Sequence, residues 1–377
     1  MQIPLRPAMS RRSPIRTALL LVLTCAIGAC APVEKPMGPP VAAPALAHDA
    51  LIAADGAALP LRVWMPRGRP EAVLIGLHGF NDYSNAFAMP APFWAERGIA
   101  TYAWDQRGFG AAPDRGYWPG EETLAADLRA AVRAVRARHP DTPLFLLGVS
   151  MGGAVVMTTL AERPIEGVDG TILVAPAVWG RRHMGVLERS ALWLVSHTMP
   201  WLTLSGRGLD IVASDNFQML RALGRDPLVI KETRADAIGG LVDLMDAAFA
   251  AAPRLDGTPL LFAYGSRDEI VPKEPVLAVM RRLARNDGAR IALYDSGYHM
   301  LLRDLSAETV WRDIAAWVSD RGAPLPSGAE RRAEALLARQ PARPIDVPPP
   351  GWDRARSGQS QRGITAGSRM PLRESRG

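Results

Sequence analysis

The sequence predicts an α/β fold in which a mostly parallel sheet carries helices on both faces. Short apolar runs, such as those at 72–77 and 99–104, are typical of strands that are buried on both sides. Amphipathic helical patterns alternate with these runs, as parallel strands joined by helical crossovers require. A third observation is the run GVSMGG at 148–153, which joins an apolar segment to a helical one through a glycine-rich turn.

Composition limits the class of protein before any motif is considered. The chain has 377 residues, 48% of them hydrophobic, and a formal net charge of +6. The positive charge lies at the two ends, because 321–377 holds 11 arginines and 5 acidic residues and 1–16 holds four arginines. The remaining body is mildly acidic, which excludes nucleic acid as a partner. The only cysteines are Cys25 and Cys30, so the body has neither a disulfide framework nor a cysteine metal site.

The N-terminal 29 residues have the pattern of a signal peptide. Residues 1–16 are basic, and the 13 apolar residues at 17–29 are too few to span a bilayer. The run IGAC that ends at Cys30 resembles a bacterial lipobox, which predicts acylation of Cys30 and an exported lipoprotein anchored on the periplasmic side of a membrane. The alternative is a plain secretory signal that leaves a soluble periplasmic or secreted protein. A Pro/Ala-rich stretch at 30–47 is predicted to be an extended tether.

The body at 48–320 begins with two short strands, 50–54 and 61–65, joined at an Asp-Gly turn. The buried strands 72–77 and 99–104 follow, and then the helix 121–138, whose acids come first and arginines last. The apolar run 143–147 and the helical pattern 154–162 flank the glycine-rich turn. Strands at 171–174, 260–264 and 291–294 and helices at 276–283 and 306–318 complete the alternation.

Two regions depart from this alternation. Between 178 and 252 the sequence has helical patches and large apolar residues but no clear buried strand, which predicts a cap over the carboxyl ends of the strands, where ligands bind. An ordinary set of packing helices would explain the same residues.

The 321–377 tail is rich in Pro and Arg and is predicted to be disordered. It contains one short helix at 329–339, opened by Ser327 and Glu330.

Ser150 is the candidate nucleophile. It lies at the junction of a strand and a helix, with Gly148 and Gly152 two residues to either side. Such a turn is so tight that only glycine fits at these positions, and it holds the serine hydroxyl clear of the backbone.

The partners of Ser150 follow from chain order, which in this type of site is serine, then an acid, then histidine. Asp268 lies in the loop after the strand 260–264, with Glu269 as a rival. His299 is the only histidine after that loop, and it also follows a strand. Asp268 would orient His299, and His299 would take the proton of Ser150.

Two backbone N–H groups are candidates to stabilise the oxyanion of a tetrahedral intermediate. One belongs to Met151, directly after the serine, and the other to Phe80, in the loop that follows the strand 72–77. His78 is predicted to shape that loop and to have no direct role in the chemistry.

These motifs together resemble the monoacylglycerol lipase and lysophospholipase group of the α/β-hydrolases, which is also classed with the serine aminopeptidases. The resemblance covers roughly 48–320 and rests on HGF at 78–80, DQRGFG at 105–110, GVSMGG at 148–153, GSRD at 265–268 and GYH at 297–299. It implies an α/β-hydrolase fold, Ser150, Asp268 and His299 as a triad, Phe80 and Met151 as oxyanion donors, a mobile apolar cap and no cofactor. Many members have Gly-His in place of Gly148-Val149, a difference that does not touch the mechanism.

The sequence therefore predicts a serine hydrolase that cleaves carboxylic esters of single-chain lipids, such as lysophospholipids or monoacylglycerols. Its partners would be a lipid or other ester substrate and a membrane surface reached through the lipid anchor at Cys30, with no metal. A short-chain carboxylesterase and a prolyl-type aminopeptidase would use the same triad. A binding module that uses the fold without catalysis is the remaining alternative, which the complete triad disfavours.

Overall fold

A computed structural model describes residues 31–339 with the exception of residues 207, 209, 256 and 258. The predicted signal peptide at 1–29, the candidate lipidation residue Cys30 and the chain beyond residue 339 lie outside the described residues. The chain divides into two compact units with the boundary after residue 340, so every described residue belongs to the first unit.

A nine-stranded sheet forms the centre of the described part of the chain, in the order β1-β2-β3-β5-β4-β6-β7-β10-β11. Six neighbouring strands are parallel to one another, namely β5, β4, β6, β7, β10 and β11. Strands β1, β2 and β3 are antiparallel to their neighbours. The strands, including the separate hairpin β8-β9, are β1 (Ala45–Leu46), β2 (Ala50–Ile52), β3 (Ala58–Trp64), β4 (Ala72–Leu77), β5 (Ile99–Trp104), β6 (Leu144–Val149), β7 (Gly170–Val174), β8 (Thr203–Leu204), β9 (Thr233–Arg234), β10 (Leu260–Gly265) and β11 (Ala289–Tyr294).

Helices cover both faces of the sheet, so the predicted fold class is confirmed. α2, α3, α6 and α7 supply one core cluster, and α1 and α8 supply the cluster on the opposite face. The helices are α1 (Pro90–Ala95), α2 (Glu121–Arg138), α3 (Met151–Glu162), α4 (Val186–Thr198), α5 (Phe217–Arg225), α6 (Ala235–Ala251), α7 (Lys273–Leu283), α8 (Ala307–Ser319) and α9 (Ala329–Arg339).

Most predicted elements have nearly the observed bounds. β4, β5, α2 and α9 begin and end at the predicted residues, and the other predicted strands and helices differ by one to three residues at an end. The agreement is closest where every residue of a strand is buried, as in β4 and β5, because such strands read as unbroken apolar runs.

The segment between β7 and β10 divides into two parts, whereas the sequence predicts one cap over 178–252. Helix α6 packs into the core through residues such as Val242 and Phe249 and belongs to the body of the fold. Helix α4 buries only Ser196, and α5 buries no residue. The exposed part, which we call the cap, therefore runs from about 181 to 232. No helix in the described residues is long and apolar enough to cross a membrane.

The N-terminal segment lies on the body, although the sequence predicts an extended tether there. The N–H groups of Lys35 and Val41 donate to the carbonyls of Trp118 and Ala54, each at 2.8 Å. The N–H of Met37 donates to Thr123 Oγ1 at 3.1 Å. A proline-rich strand has few internal hydrogen bonds, so its free N–H groups pair with acceptors on the domain surface. We call residues 33–42 the strap.

The folded region also extends past the predicted boundary at residue 320. Helix α9 has the predicted bounds, and its Ala329 and Ala333 are buried against the body. The N–H of Ala329 donates to Ser327 Oγ at 3.0 Å, and Glu330 accepts from the N–H of Leu325 at 3.0 Å. The helix therefore packs beside β11, with its alanines toward the body.

Candidate active site

Ser150 lies in a strained turn between β6 and α3. Its backbone angles are φ 51° and ψ −116°, a positive φ that a residue with a side chain rarely adopts. Such strain costs about 1–3 kcal/mol and persists only where the surroundings fix it. The N–H of Ser150 donates to Val174 O, and the N–H of Ala177 donates to Ser150 O, each at 3.0 Å. The turn is therefore anchored to the end of β7.

Close approach of the backbone explains the two glycines that flank the turn. A Cβ on Gly148 would lie 2.5 Å from Gly152 O, and a Cβ on Gly152 would lie 2.2 Å from Leu77 O. Both distances are shorter than any atom contact allows. Helix α3 can lie this close to β4 and β6 only because glycine has no side chain.

The structure brings Ser150, His299 and Asp268 into one hydrogen-bonded line. His299 Nε2 is 3.0 Å from Ser150 Oγ, and His299 Nδ1 is 2.8 Å from Asp268 Oδ2. The histidine and the aspartate are buried, while Ser150 is half-buried. These side chains come from loops after three different parallel strands, β6, β10 and β11, whose carboxyl ends meet at one edge of the sheet.

The acid beside the histidine is Asp268, and its rival Glu269 has a different partner. Asp268 Oδ1 accepts hydrogen bonds from the N–H groups of Ile270 and Val271, at 2.8 and 3.0 Å. Glu269 Oε2 accepts from the N–H of Val212 in the cap, at 2.8 Å. The carboxylate of Asp268 is thus fully occupied by two backbone donors and one imidazole, which fixes its orientation.

The loop after β4 lies against Ser150. A Cβ on Gly79 would be 3.3 Å from Ser150 Cβ and 3.8 Å from Ser150 Oγ, so the next residue, Phe80, is adjacent to the candidate nucleophile. In the described part of the chain, the N–H groups of Phe80 and Met151 donate to no protein acceptor. Met151 is also the first residue of α3, where the helix dipole favours negative charge.

His78 shapes the same loop, as the sequence predicts. Its Nδ1 lies 2.8 Å from Gly79 O, and its Nε2 accepts from the N–H of Gln106 at 2.9 Å. The Gln106 side chain donates back to His78 O at 2.9 Å. Burial lowers the pKa of His78, consistent with a neutral ring that donates from Nδ1 and accepts at Nε2.

The loop after β5 is stabilised by buried charge. Arg107 donates to Asp55 at 2.7 and 2.8 Å and to Asp127 at 2.7 Å. These hydrogen bonds lower the pKa of Asp55 to about 2, whereas burial raises the pKa of Asp127. Asp105 accepts from the N–H groups of Ser84 and Ala111. The DQRGFG motif is therefore structural and positions the loop beside His78.

Asp304 is a residue of the site that sequence reasoning missed. Its Oδ2 accepts from the N–H of Tyr298, directly before His299, at 2.8 Å, and its Oδ1 accepts from Ser214 Oγ in the cap at 2.6 Å. Burial raises the pKa of Asp304 to about 6, against hydrogen bonds that lower it. No sequence motif marks this position, because its partner Ser214 is 90 residues away in the chain.

The cap is fastened to the loops that carry the candidate residues. On one side, the N–H of Met300 donates to Ala213 O at 2.9 Å, beside His299. On the other, the N–H of Ile230 donates to Asn81 O at 2.9 Å, beside Phe80. Asn81 Nδ2 also donates to Oγ1 of Thr233, the residue directly after the cap, at 2.7 Å. A displacement of the cap would therefore pull on the histidine loop and on the loop after β4.

No group of three or more His, Cys, Asp or Glu side chains in the described region is placed to hold a metal ion. The arrangement that is present, a hydroxyl beside an imidazole beside a carboxylate, is suited to nucleophilic chemistry at a carbonyl carbon.

The sheet topology together with the serine turn between a parallel strand and a helix defines an α/β hydrolase. The family model described as "Hydrolase_4: Serine aminopeptidase, S33" matches residues 68–306. The chain belongs to this family.

Relatives with assigned names point to the monoglyceride lipase group within it. The chain is 30% identical over 287 residues to the monoglyceride lipase of Homo sapiens, an alignment that covers 72% of this chain and 90% of the relative. It is 25% identical over 261 residues to the monoacylglycerol lipase of Mycolicibacterium smegmatis, covering 68% of this chain and 91% of that one.

Solved structures have the same fold. The monoacylglycerol lipase of Paleococcus ferrophilus matches with a TM-score of 0.57 at 24% identity, covering 69% of this chain and 98% of that one. A soluble variant of monoglyceride lipase from Saccharomyces cerevisiae, in complex with a substrate analogue, matches with a TM-score of 0.62 at 18% identity, covering 77% and 98%.

Proposed function

We propose that the protein is a serine hydrolase that cleaves carboxylic esters of single-chain lipids, of the lysophospholipase or monoacylglycerol lipase type. The observation that carries the proposal is the line of hydrogen bonds from Ser150 through His299 to Asp268, with steps of 3.0 and 2.8 Å. Relatives named monoglyceride lipase support an ester as the substrate.

The proposed reaction begins with proton transfer from Ser150. With Nδ1–H of His299 donating to Asp268, Nε2 holds a lone pair and accepts the proton as Ser150 Oγ attacks the acyl carbon. The ester C–O bond then breaks, and His299 returns the proton to the departing alcohol. Water attacks the acyl-serine by the same route, which releases the carboxylic acid and restores Ser150. Asp268 holds the ring in this tautomer and stabilises the imidazolium.

The oxyanion of each tetrahedral intermediate would accept hydrogen bonds from the N–H groups of Phe80 and Met151. Neither group has a protein acceptor in the described residues, and the loop of Phe80 lies against Ser150. Donors of this kind are each worth about 10²–10³-fold in rate, because they are fixed before charge develops.

An apolar cap supports an acyl chain in the substrate. Half-buried cap side chains, among them Met184, Leu192 and Ile230, pack against the core cluster on the face of α3. Ile230 also bonds to the loop that carries Phe80. Apolar side chains on this part of the cap would favour a hydrocarbon chain by the ordinary hydrophobic effect.

We also propose that Cys30 is acylated and that the enzyme works on the periplasmic face of a membrane. The support is the lipobox-like run that ends at Cys30 and the short apolar stretch before it. A mass increase on the peptide that begins at Cys30, absent from a Cys30→Ala variant, would verify the anchor. An unmodified N-terminus at residue 30 or 32 would instead assign a soluble periplasmic or secreted protein.

The proposed activity is tested with a chain-length series of p-nitrophenyl esters on the full chain. We expect the rate to rise with acyl length and the Ser150→Ala variant to lose at least about 10⁴-fold, as other hydrolases of this type do when they lose the nucleophile. Turnover of acetyl and butyl esters alone would assign a short-chain carboxylesterase. Cleavage of proline arylamides in preference to esters would assign a prolyl-type aminopeptidase. Full activity in Ser150→Ala would refute the mechanism.

A further inference from the structure

The backbone N–H of Phe80 is presented by a turn that closes at Asp82. The N–H of Asp82 donates to Gly79 O at 3.3 Å, which leaves Phe80 and Asn81 at the two central positions of the turn. Asn81 has a φ of 62°, and a positive φ at the second central position is typical of a turn class that accepts glycine or asparagine there. The direction of the Phe80 N–H therefore depends on how firmly Asp82 is held.

A second turn begins directly after His299 and closes at Arg303. The N–H of Arg303 donates to Met300 O at 2.6 Å. The carbonyl of Arg303 accepts from Asn216 Nδ2 in the cap, at 2.9 Å. Because His299 immediately precedes this turn, the position of its imidazole depends in part on where Arg303 is held.

The residues that close these two turns form a buried ion pair. Arg303 Nη2 donates to Asp82 Oδ2, although the two residues are 221 positions apart in the chain. Only 8% of the Arg303 side chain and 10% of the Asp82 side chain are exposed. Asp82 Oδ1 is occupied as well, since it accepts from the N–H of Tyr83 at 2.9 Å. A charge-assisted hydrogen bond that is shielded from water is strong, so this contact can hold the two loops at a fixed separation.

We propose that Asp82 and Arg303 are positioning residues whose ion pair fixes the Phe80 N–H relative to the imidazole of His299. This inference rests on the proposed function and deepens it, because it explains how a donor and a base from two distant loops reach the same tetrahedral intermediate. The two charged groups act through Phe80 and His299 and do not touch the substrate. A misplacement of about 1 Å between reacting groups can lower a rate about 10²-fold, so a small separation of the loops would be costly.

The test compares kcat, KM and the rate of labelling by a fluorophosphonate in variants of the full chain. This probe phosphonylates the hydroxyl of Ser150 with loss of fluoride, so it needs the base and the oxyanion donors but no ester. In Arg303→Met, we expect kcat on p-nitrophenyl octanoate and the labelling rate to fall together by about 10–10²-fold, with KM changed by less than about threefold. Arg303→Lys keeps a cation and a donor and should recover kcat to within about fivefold of the parent.

A double variant separates geometry from stability. Arg303→Met alone leaves Asp82 buried without its cation, which destabilises the fold as well as the loops. Asp82→Leu with Arg303→Met removes both charges, and apolar replacement of a buried ion pair is often neutral for stability. We expect this variant to have an unfolding midpoint near that of the parent, while kcat and the labelling rate stay at least about tenfold lower.

The matched control is an ion pair at the opposite end of β11 from the histidine loop. Arg290 Nη1 lies 3.2 Å from Glu330 Oε1, near the amino end of the strand. Arg290→Met breaks this pair, and we expect kcat and the labelling rate to change by less than about twofold. Equal losses in Arg290→Met and Arg303→Met would assign both pairs to general stability and overturn the proposal.

Two further results would overturn the positioning role. One is a folded double variant with the kcat and labelling rate of the parent. The other is a rise in KM alone in Arg303→Met, which would assign Arg303 to the binding of substrate.

These outcomes are separate from those of the proposed reaction. A parent chain that is labelled at Ser150 but hydrolyses no ester would refute the proposed function, and slower labelling of the double variant would still support the positioning role. A parent chain that hydrolyses esters no faster than the folded double variant would refute the positioning role and leave the proposed function standing.

Discussion

The body and the cap carry apolar residues at similar spacing but bury them to different extents. In the body, every residue of β4 and β10 is buried. In the cap, α4 buries only Ser196 and α5 buries none. The body packs against itself, whereas the cap is joined to the body through a few half-buried side chains, such as Met184 and Leu192, and through hydrogen bonds to the loops that carry His299 and Phe80.

This difference separates two tasks. The strained turn at Ser150 needs a surrounding structure that does not yield, and the ends of buried parallel strands supply it. The cap buries few of its residues, and we propose that it can exchange contacts with an apolar substrate. Mutations that are matched in chemistry should therefore have unequal effects in the two regions.

The largest contrast is expected between two glycine-to-alanine changes. Gly152→Ala places a Cβ 2.2 Å from Leu77 O, so we expect α3 to shift, Ser150 to leave its turn, and esterase activity to fall by at least about 10²-fold. Gly224→Ala in α5 meets no atom within 4 Å. We expect that variant to keep its activity and to gain up to about 1 kcal/mol in the free energy of unfolding. Activity assays and urea titration of both variants test the pair, and an active Gly152→Ala would contradict it.

The next contrast concerns arginines. Arg107→Ala leaves Asp55 and Asp127 buried without their cation, and we expect a loss of about 3–5 kcal/mol in the free energy of unfolding. Arg189→Ala on the exposed surface of α4 should change it by less than about 0.5 kcal/mol. Thermal unfolding midpoints of the two variants and of the parent measure this difference in stability. Equal midpoints would mean that the buried pair is dispensable.

Asp304 joins the cap to the loop of His299, and its contribution to the free energy of unfolding should depend on pH. Its pKa is about 6 in the folded chain and near 3.8 when unfolded, so the charged form destabilises the fold above pH 6. This penalty disappears as the pH falls toward 4, because the folded state then holds the proton. Asp304→Asn removes this titration while keeping an acceptor for Tyr298 and a partner for Ser214.

We therefore expect Asp304→Asn to gain stability relative to the parent at pH 8 and to lose that gain by pH 4, in urea titrations at both values. Its kcat on esters should fall about tenfold, because the loop of His299 loses a charge-assisted hydrogen bond. Asp295→Asn, a change to an exposed carboxylate in the same loop, is the control and should alter neither quantity. A stability difference that does not vary with pH would contradict the assigned role of Asp304.

The same division explains what the sequence could predict. Strands β4 and β5 and helix α2 were predicted to the residue because their apolar patterns match their burial. The predicted cap extends to 252 because α6, like the exposed helices, has a helical pattern with apolar residues, and its packing against the core is not visible in the sequence. The strap and Asp304 were missed because their partners are distant in the chain, and backbone N–H groups leave no trace in composition.

The smallest effect is expected at Leu187, where the cap is most exposed. The side chain is 86% exposed in α4, so Leu187→Ala should change the free energy of unfolding by less than about 0.5 kcal/mol. The same change at Leu74, fully buried in β4, should cost about 2–5 kcal/mol. Urea titration of both variants measures the difference directly. If Leu187→Ala were as costly as Leu74→Ala, the leucine would already be covered in solution, and the cap would not be the exposed apolar surface that distinguishes it from the body.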